Sequence, residues 1–378
     1  MELKEIIDKA KLFYCLDCGV CSGSCPVSRT PIEYSPRLQV GKLLLSVDLG
    51  MEEEALKDPD IWRCLTCGQC LQRCPQKVDY LEFIKDIREE AVKAGSKADY
   101  SHHGILQAIM EIQNLGVNQN KTAWAKESGN IVREGEYYFF TGCLPFFDPV
   151  FKDLNVSSLN IAGNMLKIIN KIGIAPVVSD EERCCGHDMM WNGEIDSFKK
   201  LAAFNIELIR RKGSKKVIFA CPEGYSIFKK YYPVYFGELG FEVIHFYDFI
   251  LDKVKGGELK LPSLEGTLTY HDPCRLGRFS GIYETPREII ASIPGVTFVE
   301  MDRNREKALC CGTTGWAGCS TCSKQIQIDR LNEAKATGAN ILITACPKCR
   351  IHLTCALIGS DLKIEIKDLS DLLAMALV

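Results

Sequence analysis

Cysteine sets this sequence apart: 20 thiols occur among 378 residues. Toward the C-terminus Cys274 stands in His-Asp-Pro-Cys, Cys310 and Cys311 precede Gly312, and Cys346-Pro-Lys-Cys349 follows. Thiolates are soft ligands, suited to iron–sulfur clusters and zinc. This five-thiol constellation is read as the ligand set of an iron–sulfur cluster at a redox active site. A weaker copy lies upstream as Cys143, Cys184-Cys185-Gly186 and Cys221-Pro-Glu-Gly224. Met1 to Leu12 is charged and amphipathic, without the apolar stretch of a secretory signal, and no run reaches the roughly 20 apolar residues of a membrane helix. A cytoplasmic protein is therefore expected, associated with a membrane only peripherally and through a partner. Reducing compartments keep thiols free, so metal binding or redox chemistry is expected in place of a disulfide framework. A formal net charge of −3 offers no basic field for nucleic acid.

A different cysteine pattern opens the chain. Cys15, Cys18, Cys21 and Cys25-Pro26 follow the spacing C-x-x-C-x-x-C-x-x-x-C-P, repeated at Cys64, Cys67, Cys70 and Cys74-Pro75. This is the bacterial ferredoxin run, in which the fourth cysteine of one run ligates the other cluster. One cubane 4Fe–4S cluster is accordingly assigned to Cys15, Cys18, Cys21 and Cys74, the other to Cys64, Cys67, Cys70 and Cys25. Zinc knuckles also use C-x-x-C, but a four-ligand ion has no use for eight interleaved cysteines. Such paired clusters carry electrons and do no bond chemistry.

The elements that must position these thiols follow from periodicity. A lead-in helix carries Leu3, Ile6, Ile7 and Leu12. A helix capped by Ser35-Pro36 is expected to present Leu38, Val40, Leu43, Leu44, Leu45 and Val47, and another follows Cys74 with Ile84, Ile87 and Val92. From Tyr137 strands alternate with helices, twice over. Strands are expected at 137–140, 174–178, 217–220 and 241–245, then at 267–270, 296–300 and 341–344. Continuous apolar strands separated by helices imply parallel sheets covered on both faces, with the cysteines just past strand ends, where open α/β sheets place functional groups. The expected fold class is α+β multidomain: an N-terminal α-helical ferredoxin domain (1–94), a linker with one helix near 105–115 (95–135), and a tandem-repeat α/β domain (136–256 and 257–378).

The order Cys, Cys-Cys-Gly, Cys-Pro-x-Cys is similar to the CCG domain of heterodisulfide reductases, and the whole chain resembles their D-type subunit, a ferredoxin-like part fused to a CCG-bearing part. The resemblance implies a noncubane 4Fe–4S cluster held by five cysteines, at which the mixed disulfide of coenzymes M and B is cleaved in an anaerobic, methanogenic metabolism. By position Cys274, Cys310, Cys311, Cys346 and Cys349 match all five ligands. Cys143, Cys184, Cys185 and Cys221 match four, with Gly224 in the last place, leaving open a further 4Fe–4S cluster or an empty structural site. His187 and His271 are candidates to donate protons to a departing thiolate, or to hydrogen-bond cluster sulfurs. Arg275 and Lys348 are candidates for binding anionic substrate groups. No nucleotide-binding glycine fingerprint occurs, so electrons must come from a partner subunit, a flavoprotein or a membrane cytochrome b or quinone-type protein. The alternative reading is an electron-transfer subunit of a respiratory or flavin-linked dehydrogenase. Cys319, Cys322 and Cys355 remain outside every ligand set.

Overall fold

Two stretches of apolar sequence become two parallel sheets. In this computed structural model, which describes residues 2–117, 119–261 and 263–375, strands β1 (Tyr137–Phe140), β2 (Lys216–Phe219) and β3 (Glu242–His245) form a sheet in the order β1-β2-β3. Strands β4 (Gly266–His271), β5 (Val296–Phe298), β6 (Ile341–Thr344) and β7 (Glu365–Asp368) form a second, in the order β5-β4-β6-β7. All pairings are parallel. The two sheets are copies of one design, and the strand expected at 174–178 shows how they diverge. Only Val177 bridges there, to Tyr138 and Val132. Pro176 has no N–H to give a ladder, so the edge strand shrinks to one residue. The strand β7 and the closing helix Leu369–Ala374 have no counterpart in the sequence reading.

The helices pack on both faces of these sheets. Ser158–Lys171 buries Ile161, Met165, Leu166 and Ile169, and Ile195–Arg211 buries Phe198, Leu201, Ile206 and Ile209. The N-terminal module is all helix. Leu3, Ile6 and Ile7 of Leu3–Lys9 meet Ile84 and Ile87 of Tyr80–Lys93 in one core. Ser35 caps Pro36–Asp48, accepting from Leu38 N at 3.2 Å, with proline at the first helical position. Of its expected apolar face Val40 and Leu43 are buried, whereas Leu38 and Leu45 are 39% and 59% exposed. Six apolar side chains within ten positions span a wider arc than one contact face can cover.

Arg88 fastens the ferredoxin module to the first repeat. Fully buried, it donates Nε to Ile61 O at 2.9 Å, Nη1 to Trp191 O at 2.8 Å and Nη2 to Cys64 O at 2.8 Å. Arg88→Leu would strand three buried carbonyls, so thermal unfolding of the anaerobic holoprotein should show a loss of about 3 kcal/mol or more. A second prediction concerns Asp368, which caps the last helix through Ser370 N (2.9 Å), accepts from Tyr247 Oη (2.6 Å) and leaves Oδ2 without a partner. Burial, with Asp371 adding, raises its pKa to about 6. Folding therefore favours the protonated acid, and the stability so gained is lost as pH rises through 6. Asp368→Asn should gain about 2 kcal/mol over the wild type above pH 7, and the difference should vanish as pH falls toward 4.

Candidate functional site

Every thiol is free of disulfide bonds, and the expected ligands gather in four groups. Cys15, Cys18, Cys21 and Cys74 line one cavity of about 490 Å³, joined by Cys70. Cys25, Cys64, Cys67 and Cys70 lie close enough that their charges act on one another, and burial pushes the Cys25 thiol up to about 12. The first group is graded toward solvent, with Cys18 exposed; the second has all four thiols buried.

The two Cys-Cys-Gly turns show why the motif ends in glycine. Gly186 and Gly312 hold φ of +74° and +90°. A Cβ would lie 2.8 Å from the Phe198 ring at the first and 2.7 Å from the Ser323 carbonyl oxygen at the second. Only glycine takes these conformations at such close approach. In the second repeat Cys310 meets Cys274 and Cys311, Cys311 meets Cys349, and Cys349 meets Cys346. All five expected thiols are thus brought together. In the first repeat Cys143 Sγ lies 3.2 Å from Cys184 Sγ. With Cys185 and Cys221 these two line one cavity, beside His187, Asp188 and Glu223. Glu182 shapes the loop, its Oε1 accepting from Thr141 N at 3.2 Å and Gly142 N at 2.8 Å. At Gly224 a Cβ would come within 3.2 Å of the Phe219 ring and 3.9 Å of Cys185 Cβ, a close fit in the place where the second repeat carries its fifth thiol.

Sets of four or five unbridged sulfur donors fit iron–sulfur clusters, which soft thiolates favour. The groups also touch one another. Cys67 of the inner ferredoxin group meets Cys310, which, with Arg278 and Arg275 adding and burial opposing, lowers the Cys67 thiol to about 6. Cys221 of the first repeat meets Cys346 of the second. Neither contact was legible from spacing.

Arg275, expected to bind an anionic substrate, is buried and fully engaged. It donates Nε to His187 Nε2 at 2.8 Å, Nη1 to Thr66 O at 2.6 Å and Nη2 to Thr66 Oγ1 at 2.6 Å. Its guanidinium stacks over Trp191 and Phe279. One side chain of the second repeat thereby holds the ferredoxin loop and the first repeat. Lys348 is likewise spent internally, its Nζ 2.5 Å from Asp188 Oδ1 and 2.6 Å from Glu223 Oε2. Burial opposes the charge, yet the two carboxylates hold Lys348 well above its usual range. Both cations thus have internal partners, Arg275 in Thr66 and His187, Lys348 in Asp188 and Glu223.

The histidines also depart from a proton-donor role. His187 gives Nδ1–H to Asp188 Oδ1 at 2.8 Å and accepts from Arg275 at Nε2, and burial lowers its pKa. His271 accepts from Arg330 Nε at 3.0 Å, and burial, with Arg330 adding, brings it down to about 4. Both are neutral imidazoles locked in networks. The imidazole that spacing could have pointed to is His352, three residues past Cys349 on the helix Pro347–Leu357. Its Nδ1 lies 3.5 Å from Cys311 Sγ and 2.6 Å from Thr313 Oγ1.

Comparison with known proteins adds names to this geometry. The model of a cysteine-rich domain, CCG, matches residues 137–229 and 268–354, and that of a 4Fe–4S dicluster domain matches 11–78. The chain is 33% identical over 311 residues to the D-type subunit of the dihydromethanophenazine:CoB–CoM heterodisulfide reductase of Methanosarcina acetivorans, covering 79% of this chain and 74% of that one. It is 27% identical to the B-type subunit of the fumarate reductase (CoM/CoB) of Methanothermobacter marburgensis, over 98% of this chain and 73% of that one. A crystal structure of a hypothetical protein from Helicobacter pylori shares the fold, with TM-score 0.60, 10% identity, and coverage of 100% of this chain and 76% of that one.

Arg275→Met should cost about 2–4 kcal/mol, because Thr66 O and His187 Nε2 lose their donor in a buried place. Rapid-freeze EPR should also show reduction of the second-repeat group lagging behind the ferredoxin module, on the order of tenfold for a loosened contact.

Proposed function

Since the chain belongs to the family of heterodisulfide reductase D-type subunits, an iron–sulfur oxidoreductase family, we propose that it reduces a disulfide at the second repeat. Two cubane clusters in the ferredoxin module, fed by a partner subunit, supply the electrons. The observation that carries this reading is the group of five thiols, four buried and Cys274 half-buried, abutting Cys67. Cys274, Cys310, Cys311, Cys346 and Cys349 would hold a noncubane 4Fe–4S cluster. When bound, that group supplies one-electron storage and a thiophilic iron, which suits a two-electron disulfide couple fed by one-electron carriers. Cys143, Cys184, Cys185 and Cys221 would hold a further cluster as four-thiol ligands, since Gly224 brings no fifth thiol.

The chain's own residues supply the rest. Arg275 fixes the distance between Thr66 and the second repeat. His352 places Nδ1 3.5 Å from Cys311 Sγ, within hydrogen-bonding reach of a sulfur there. Electron input belongs at the outer thiols Cys15, Cys18, Cys21 and Cys74, where Phe13, Tyr14 and Leu16 stand 66%, 66% and 62% exposed for the partner, a flavoprotein or a membrane cytochrome b or quinone-type protein. Among the described residues no helix is long and apolar enough to cross a membrane.

One observation favours a second reading, an electron-transfer subunit without a substrate of its own. The space between the two repeats is filled by His187, Asp188, Glu223 and Lys348, mutually paired, so a bulky disulfide has no room there. EPR of the anaerobic oxidised holoprotein separates the two. A new paramagnetic signal on adding coenzyme M, broadened when the thiol sulfur is isotope-labelled, is the expected result for the reductase. Ferredoxin-type signals alone, indifferent to thiol, would leave the electron carrier standing.

A further inference from the structure

Three thiols stand outside the ligand groups: Cys319, Cys322 and Cys355. Cys319 is exposed and Cys322 half-buried. Ser320 caps the helix Thr321–Ala336 in a reciprocal box with Ser323, placing Cys319 just before the cap and Cys322 in the first turn. The loop before them is held in place. Ser101 N donates to Trp316 O at 2.7 Å, Gly318 N to Asp99 O at 2.9 Å and Cys319 N to Ser101 Oγ at 3.2 Å.

Cys322 faces the ferredoxin module, lining a solvent-open cleft of about 930 Å³ whose walls include Cys64, Leu65, Gly312 and Thr314. Cys319 stands between Gly318 and Ser320, which line the same cleft. The cleft joins an inner ferredoxin thiol to the second Cys-Cys-Gly turn. One turn beyond Cys322, Ile326 packs into the ferredoxin core beside Cys25 and Cys64. Among the described cavities this one reaches both modules and opens to water.

We propose that Cys319 and Cys322 form a redox-active dithiol that exchanges with an aliphatic disulfide in this cleft, resting on the reading that the inner ferredoxin thiols hold a cluster. In the first half-reaction the reduced pair attacks RS–SR′. The exposed Cys319 thiolate forms a mixed disulfide and releases one thiol, and Cys322 displaces the second. The product is a Cys319–Cys322 disulfide with RSH and R′SH, so atoms and electrons balance. In the second, the internal disulfide takes two electrons, one at a time, from the cluster at Cys64 and two protons from the water of the cleft, restoring both thiols. C-x-x-C is the spacing at which dithiol–disulfide oxidoreductases carry their reactive pair.

The test uses anaerobic holoprotein and bis(2-hydroxyethyl) disulfide as the probe. Wild-type chain should release two thiols and, after alkylation and mass spectrometry, show Cys319 linked to Cys322. Cys322→Ser should stall with half of the probe on Cys319, and Cys319→Ser should show about a tenfold or greater loss of thiol release. Titration of the oxidised protein with titanium(III) citrate should then take two more electrons per chain in the wild type than in a Cys319→Ser, Cys322→Ser variant, with the same ferredoxin EPR signals in both. Unlinked, alkylatable Cys319 and Cys322 after probe treatment, or equal electron counts with ferredoxin signals intact, would overturn the dithiol. Absence of the ferredoxin signals themselves would instead strike the cluster reading beneath it.

Discussion

A buried guanidinium must find acceptors for five N–H donors, and in this protein the acceptors are mostly the backbone of loops that carry thiols. Arg88 takes the carbonyls of Ile61, Cys64 and Trp191; Arg275 takes Thr66 and His187; Arg278 takes the carbonyls of Cys67, Glu306 and Ala308. Loops cannot bury their carbonyls unpaired, and a buried arginine cannot stay charged without such partners. Each need satisfies the other. The result is that the second ferredoxin run, Cys64 to Cys70, is clamped to both repeats by charge-assisted bonds, and the contact between Cys67 and Cys310 follows from that clamp.

The repeats also meet each other through equivalent positions. Cys221-Pro-Glu-Gly224 and Cys346-Pro-Lys-Cys349 occupy the same place in the two copies, and Cys221 touches Cys346 while Glu223 pairs with Lys348. His187, Asp188 and Glu223 offer donor atoms within 4.8 Å of one another, and the Lys348 ammonium fills the cation position among them. Had both copies kept lysine here, like charges would face each other in a buried place. The duplicated fold is thus bound to an asymmetric sequence, with five thiols in one half and four thiols beside an acid in the other.

Much of this was legible because the signals were local. The interleaved ferredoxin spacing, the Cys-Cys-Gly turns and the alternation of apolar strands with helices are statements about neighbours in sequence, and β6 was read at its observed ends. What escaped was long-range or depended on burial. Arg275 and Lys348 read as free cations because nothing near them in sequence shows that Thr66, Asp188 or Glu223 will close on them. His187 and His271 read equally as proton donors or as partners of cluster sulfurs, because their bonds to Arg275 and Arg330 arise only in the folded chain. The strand at 174–178 failed for a local reason that was visible, Pro176, set against an apolar run that outweighed it. His352 carried a usable signal, one helical turn from Cys349, that a reading fixed on cysteine passed over.

Solvent access falls along the thiols in the order in which electrons are proposed to travel, from the exposed Cys18 to the buried Cys64, Cys67 and Cys310. Dioxygen and peroxide meet the same gradient. A small oxidant arriving from water finds the outer thiols around Cys18 and, along the solvent-open cleft, the edge of the inner group at Cys64, whereas Cys310, Cys311, Cys346 and Cys349 lie buried. Oxidative attack therefore falls first on the thiols of the ferredoxin module and last on those four.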